Sequence, residues 1–184
     1  MACADEIDFT TLLPASGIPS KSVLIFFIPG NPGLVEYYRG FLSQLKKRLS
    51  SDPSQQQTQY FIHGASLAGF DISGSRNIPS STESLPLSLD AQVEDVYSRL
   101  EAVAARVRLE NDIQGDLPVV VMGHSIGAYM TLQAVAKWQE TAKERETRMK
   151  VSAGICLFPT IFELDISPTG RQVGVSTRSF VTLK

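Results

Sequence analysis

Histidine is scarce in this chain: its 184 residues contain only two, His63 and His124. Any chemistry that needs an imidazole base must use one of these or a group outside the sequence. Cysteine is equally rare. Cys3 and Cys156 match no metal-ligand spacing, which leaves two free thiols as the simpler reading over a disulfide. No metal and no cofactor are expected. The longest apolar run, "VLIFFI" at 23–28, is far below the roughly 18–20 residues that span a bilayer. The opening "MACADEIDFTTLLP" is acidic and lacks an apolar centre, so it does not read as a signal peptide, and a protein made on the cytosolic side is expected. A net charge of −2 with no Lys/Arg block gives no footing for a nucleic-acid partner. With 43% hydrophobic and 20% charged residues, the composition is that of an ordinary globular protein, read here as one domain over 1–184.

The apolar pattern supplies an order of elements. "SVLIFFIPG" is continuously apolar and ends in Pro-Gly, the mark of a strand buried on both faces. A helix is expected over 31–50, with Asn31 as cap, Pro32 in the first position, and Leu34, Tyr38, Phe41, Leu45 and Leu49 along one face. A strand follows over 59–66, then a Gly/Ser/Pro-rich loop over 67–88 and a helix over 89–109 carrying Leu89, Val93, Val96, Leu100, Val103 and Val107. A strand at 117–122, a helix after Ser125 with a charged far end, and a strand over 150–160 complete the pattern. This alternation predicts an α/β fold, a mainly parallel sheet with helices on both faces.

"LPVVVMGHSIGAYM" at 117–130 carries the chemistry. "GHSIG" fits G-x-S-x-G, the turn in which a strained serine sits between a buried strand and a helix. Ser125 is the candidate nucleophile, and Gly123 and Gly127 are the flanking residues that leave room for the turn. Acyl chemistry also needs donors for an oxyanion. The Ile126 N–H follows the serine, and the "IPGNPG" segment after the first apolar strand offers the Asn31 N–H, which a helix N-terminus would strengthen. Taken alone, that segment is merely a turn with a good helix cap; beside the elbow it reads as the second donor.

Three stretches stand in order: "FIPGNPGLVEYYRGFLSQL" at 27–45, "VVVMGHSIGAYM" at 119–130 and "LFPTIFELDISPTG" at 157–170. Over about 22–170 the chain resembles the lipid droplet-associated hydrolase family. The resemblance implies an α/β-hydrolase fold with Ser125 as nucleophile and neutral-lipid esters, sterol esters or acylglycerols, as substrate. It also implies peripheral attachment to the lipid droplet surface and the endoplasmic reticulum. Family members continue past "SPTG" with a cap, further strands, an acid and a C-terminal histidine, and the closing "RQVGVSTRSFVTLK" departs from their pattern. A C-terminally truncated chain is therefore expected, lacking the last strands and the cap.

Neither histidine suits the base. His124 adjoins Ser125 and should pack beneath the turn, whereas His63 falls inside a strand, where a structural histidine is the simpler reading. Asp165 follows the last strand, but the family places its acid further along. Losing the histidine of a serine hydrolase costs on the order of a millionfold in kcat, so this chain by itself is expected to be nearly inactive. Its last strand should present an apolar edge, with marginal stability and self-association as the consequences. Tyr37, Tyr38, Phe41 and Phe70 read as core or as the lining of an acyl pocket. The alternatives to a lipid esterase are a non-catalytic, droplet-associated or regulatory protein on the same scaffold, and a hydrolase of thioesters or small esters.

Overall fold

A strand without a polar face needs a strand on each side and a cover above and below, and Lys21–Ile28 has all four. The computed structural model describes residues 5–11, 17, 19–70, 87–141 and 148–160. Its strands are β1 (Glu6–Thr10), β2 (Lys21–Ile28), β3 (Thr58–Ala65), β4 (Leu117–His124) and β5 (Met149–Leu157), and its helices are α1 (Arg39–Ser51), α2 (Leu89–Glu110) and α3 (Ile126–Thr141). The sheet order is β1-β3-β2-β4-β5. The pairs among β2, β3, β4 and β5 are parallel, and β1 joins β3 antiparallel. Alternation along β2 separates two cores. Leu24, Phe26 and Ile28 meet Val96, Leu100 and Val103 of α2 and Met130 of α3. Ile25 and Phe27 meet Val35, Leu42 and Ile62 on the α1 side. Complete burial of a Leu or Phe contributes about 1.5–3 kcal/mol, so these two layers hold the helices to the sheet.

The mainly parallel sheet with helices on both faces is therefore present, and β1 is an addition to it. The α2 expectation holds closely: Ser88 caps the helix by accepting from the Ala91 N–H at 3.2 Å, and the expected apolar residues face the core. The expected start of α1 does not hold. Residues 30–33 form a turn closed by the Gly33 N–H on the Gly30 carbonyl at 2.7 Å. Gly33 has φ 85°, a left-handed conformation that a helix cannot continue through. A 3₁₀ turn, Val35–Tyr38, precedes α1, and Arg39 clamps it through Glu36 at 2.6 and 2.8 Å. Asn31 thus caps no helix, and Pro32 opens none. Because the 3₁₀ turn advances by 3.0 rather than 3.6 residues, the expected apolar stripe is broken. Leu42 is fully buried, while Phe41 is 42% exposed.

The loop over 71–86 and the charged segment at 142–147 lie outside the described residues. Among the described strands β5 is outermost on its side, with Ser152 to Ile155 exposed.

His63 is structural. It lies directly across from Asp8 in the β1–β3 register, is 2% exposed, and stacks on Phe26. Its Nδ1 is 2.8 Å from Asp8 Oδ1. That hydrogen bond is the largest influence holding the Asp8 carboxyl below its usual range; burial opposes it, and the Arg106 guanidinium adds to it. A depressed carboxyl pKa contributes stability above the unfolded-state value and loses it as pH falls through the folded-state value. Asp8→Ala is expected to cost about 1–3 kcal/mol at neutral pH, because it strands a buried imidazole N–H. In thermal melts the gap between wild type and variant should narrow below about pH 4; a gap independent of pH would refute the linkage.

Candidate active site at the β4–α3 turn

Parallel pairing brings the C-terminal ends of β2 and β4 together, with Ile28 opposite Gly123. The chain leaves β4 at His124, turns at Ser125 and enters α3 at Ile126. Ser125 has φ 54°, a conformation that non-glycine residues adopt at a cost of about 1–3 kcal/mol when the surroundings impose it. Here they do. The Ser125 N–H donates to the Leu157 carbonyl at 3.0 Å, and the Ser125 carbonyl accepts from Ala128 N–H at 3.0 Å and Thr160 N–H at 3.3 Å.

The two flanking glycines are required for separate reasons. A Cβ on Gly123 would stand 2.0 Å from the Gly127 carbonyl oxygen and 2.4 Å from Thr131 Oγ1, so Gly123 lets α3 lie on β4. A Cβ on Gly127 would meet the Ile28 carbonyl oxygen at 2.4 Å, so Gly127 lets α3 approach the end of β2. The Ser125 side chain is partly buried, with Oγ 3.1 Å from Thr160 Oγ1. Ile126 begins α3, where its N–H has no intrahelical acceptor. Asn31 is exposed in the turn at the end of β2, and among the described residues its N–H has no hydrogen-bond partner. Because α1 starts eight residues later, no helix N-terminus strengthens that donor, and this part of the sequence expectation is corrected.

Both histidines have other engagements. His124 Nδ1 is 2.9 Å from the Tyr38 hydroxyl, and its ring lies between Tyr38 and Phe158, with centroids at 5.5 and 6.0 Å. His63 pairs with Phe26, and Phe26 with Val121, four residues before Ser125. Strand geometry therefore separates it from Ser125 by about 13 Å along the sheet and about 10 Å across it. Of the aromatic residues named from the sequence, Tyr38 packs on Phe27 at 4.8 Å, whereas Tyr37 is 71% exposed. Phe41 is tilted against Phe27 at 5.9 Å, and Phe70 covers Gly33 of the 30–33 turn. Thr160 and the Tyr38–His124 bond carried no signal in the sequence, since both depend on which chain ends the sheet brings together. Among the described residues no three His, Cys, Asp or Glu side chains gather to hold a metal.

The lipid-droplet associated hydrolase family model matches residues 21–183. The chain belongs to this family. That match runs past the segment, ending at about 170, that the motifs cover. The chicken (Gallus gallus) lipid droplet-associated hydrolase is 30% identical over 150 residues, 81% of this chain and 40% of that protein. The human protein is 28% identical over 167 residues, 89% of this chain and 45% of its own length. The Drosophila melanogaster protein is 28% identical over 156 residues, 82% and 43% of the two chains. The chain thus spans less than half the length of these relatives. A solved structure of a fungal esterase from Rhizomucor miehei superimposes with a TM-score of 0.52 at 13% identity, covering 91% of this chain and 44% of that one. The likeness establishes the α/β-hydrolase-like fold.

Gly123→Ala is expected to cost at least about 3 kcal/mol, because the added methyl meets backbone rather than a movable side chain. Thermal denaturation reads this directly, and a melting temperature equal to that of wild type would contradict the close approach of α3 to β4.

Proposed function

We propose that this domain is the nucleophile-bearing part of a serine ester hydrolase. The reading rests on Ser125 at φ 54°, held at the tip of a strand–helix turn beside the end of β2. Ser125 attacks the ester carbonyl, and the N–H groups of Asn31 and Ile126 receive the oxyanion. The substrates are neutral-lipid esters, sterol esters or acylglycerols. This proposal is supported by the family's lipid-droplet association and by Tyr37, Phe41 and Phe70, large apolar side chains that stand exposed. The protein works peripherally on the droplet surface and the endoplasmic reticulum; among the described residues no helix is long and apolar enough to cross a membrane.

His63 and His124 being engaged elsewhere, the base and acid of the triad come from outside these 184 residues. A serine hydrolase without its base keeps only about a thousandfold advantage over water, from the oxyanion site and binding. A fluorophosphonate should label Ser125 slowly, with the adduct located by peptide mass spectrometry and abolished by Ser125→Ala. Steady-state hydrolysis by the isolated chain should fall on the order of a millionfold below that of a complete enzyme. In a series of nitrophenyl esters the residual rate should rise with acyl length; a preference for acetyl would favour small-ester or thioester chemistry.

A second reading has an observation of its own. The described partner of Ser125 Oγ is the Thr160 hydroxyl, which is no base. A non-catalytic, droplet-associated or regulatory protein on this scaffold would leave Ser125 unlabelled.

A further inference from the structure

Tyr38 sits where two chain ends meet. Its hydroxyl accepts from the Gly30 N–H at 3.1 Å and lies 2.9 Å from His124 Nδ1. The hydroxyl accepts from Gly30 and keeps both a proton and a second lone pair for Nδ1, so it bridges to His124 in either ring tautomer. Gly30 immediately precedes Asn31, and His124 is two residues before Ile126, so the bonded atoms adjoin both candidate oxyanion amides. The two segments are also in direct contact. A Cβ on Gly30 would lie 2.8 Å from both His124 Nδ1 and Ser125 Cβ. The aromatic ring is itself held, tilted against Phe27 at a centroid distance of 4.8 Å. The anchored 3₁₀ turn that carries Tyr38 is clamped by the Glu36–Arg39 pair.

We propose that Tyr38 is a positioning residue: its hydroxyl ties the Gly30–Asn31 turn to the His124–Ser125 elbow and thereby sets the spacing of the two oxyanion amides. The functional half of this inference rests on the serine-nucleophile reading, while the tether itself does not. The bridge adds a directional link between two turns that pack closely, on a side where α1 begins only at Arg39, eight residues past Asn31. A displacement of about 1 Å at such a site costs up to about a hundredfold in rate.

Two measurements on the full 184-residue chain decide it. In nitrogen-15 histidine spectra, His124 Nδ1 of the wild type should resonate as a hydrogen-bonded ring nitrogen, and Tyr38→Phe should shift it. In saturation kinetics with a fluorophosphonate, Tyr38→Phe should lower the maximal labelling rate of Ser125 about tenfold to a hundredfold. The half-saturating probe concentration should stay near its wild-type value, and the melting temperature should fall by only about 2–4 °C, since two hydrogen bonds are lost while the ring and its packing on Phe27 remain. A His124 Nδ1 resonance that Tyr38→Phe leaves unchanged, or a Tyr38→Phe chain that labels at the wild-type rate, overturns the proposal. A wild-type chain that never labels overturns the serine reading instead, and the nitrogen-15 spectra of the wild type and Tyr38→Phe then still decide the tether.

Discussion

The close approach of three backbone segments, without side chains between them, is the constraint on which this architecture turns. Gly127 brings the first turn of α3 against the carbonyls of Ile28 and Pro29, Gly123 admits the same helix to β4, and Gly30 brings the end of β2 against His124 and Ser125. Where a methyl group would stand 2.0–2.8 Å from these neighbours, the turn at Ser125 could not be pressed into its left-handed conformation. The strain is met by hydrogen bonds from three directions, through Leu157, Ala128 and Thr160. The end of β5 thus helps hold a residue that belongs to β4 and α3.

The two apolar layers fix where those segments meet. β2 is the middle strand and contributes to both cores, so its C-terminal end is placed by packing against α1 on one face and α2 and α3 on the other. The parallel register then puts Ile28 across from Gly123. Polar contacts refine the arrangement: Tyr38 reaches from the 3₁₀ turn to both strand ends, and Asp8 with His63 secures the far edge. A histidine so placed, 2% exposed and stacked on Phe26, serves the fold.

Membership of the lipid-droplet associated hydrolase family and the esterase-like fold bring the chain to a hydrolase scaffold that covers under half of its relatives. The turn that carries Ser125 is held within the described residues, by the close approaches at Gly123 and Gly127 and by hydrogen bonds with Leu157, Ala128 and Thr160. The described partner of the Ser125 hydroxyl is Thr160, while the two imidazoles bond to Tyr38 and Asp8.

Much was determined by the sequence alone. The apolar run of β2, the capped periodicity of α2, and the strand, serine and helix around "GHSIG" are local patterns, and local patterns are written in consecutive residues. The elbow glycines were legible for the same reason. Four features were not. β1 alternates over only five residues, Glu6–Thr10, too few to mark a strand by themselves, and exists through pairing with β3; the start of α1 was displaced by Gly33 and the 3₁₀ turn. The hydroxyl of Tyr38 met His124 across 86 residues, and Thr160 reached Ser125 across 35. Those contacts arise only when the sheet order carries chain ends together, because hydrogen bonds act over about 3 Å and the sequence says nothing of which distant ends will come that close.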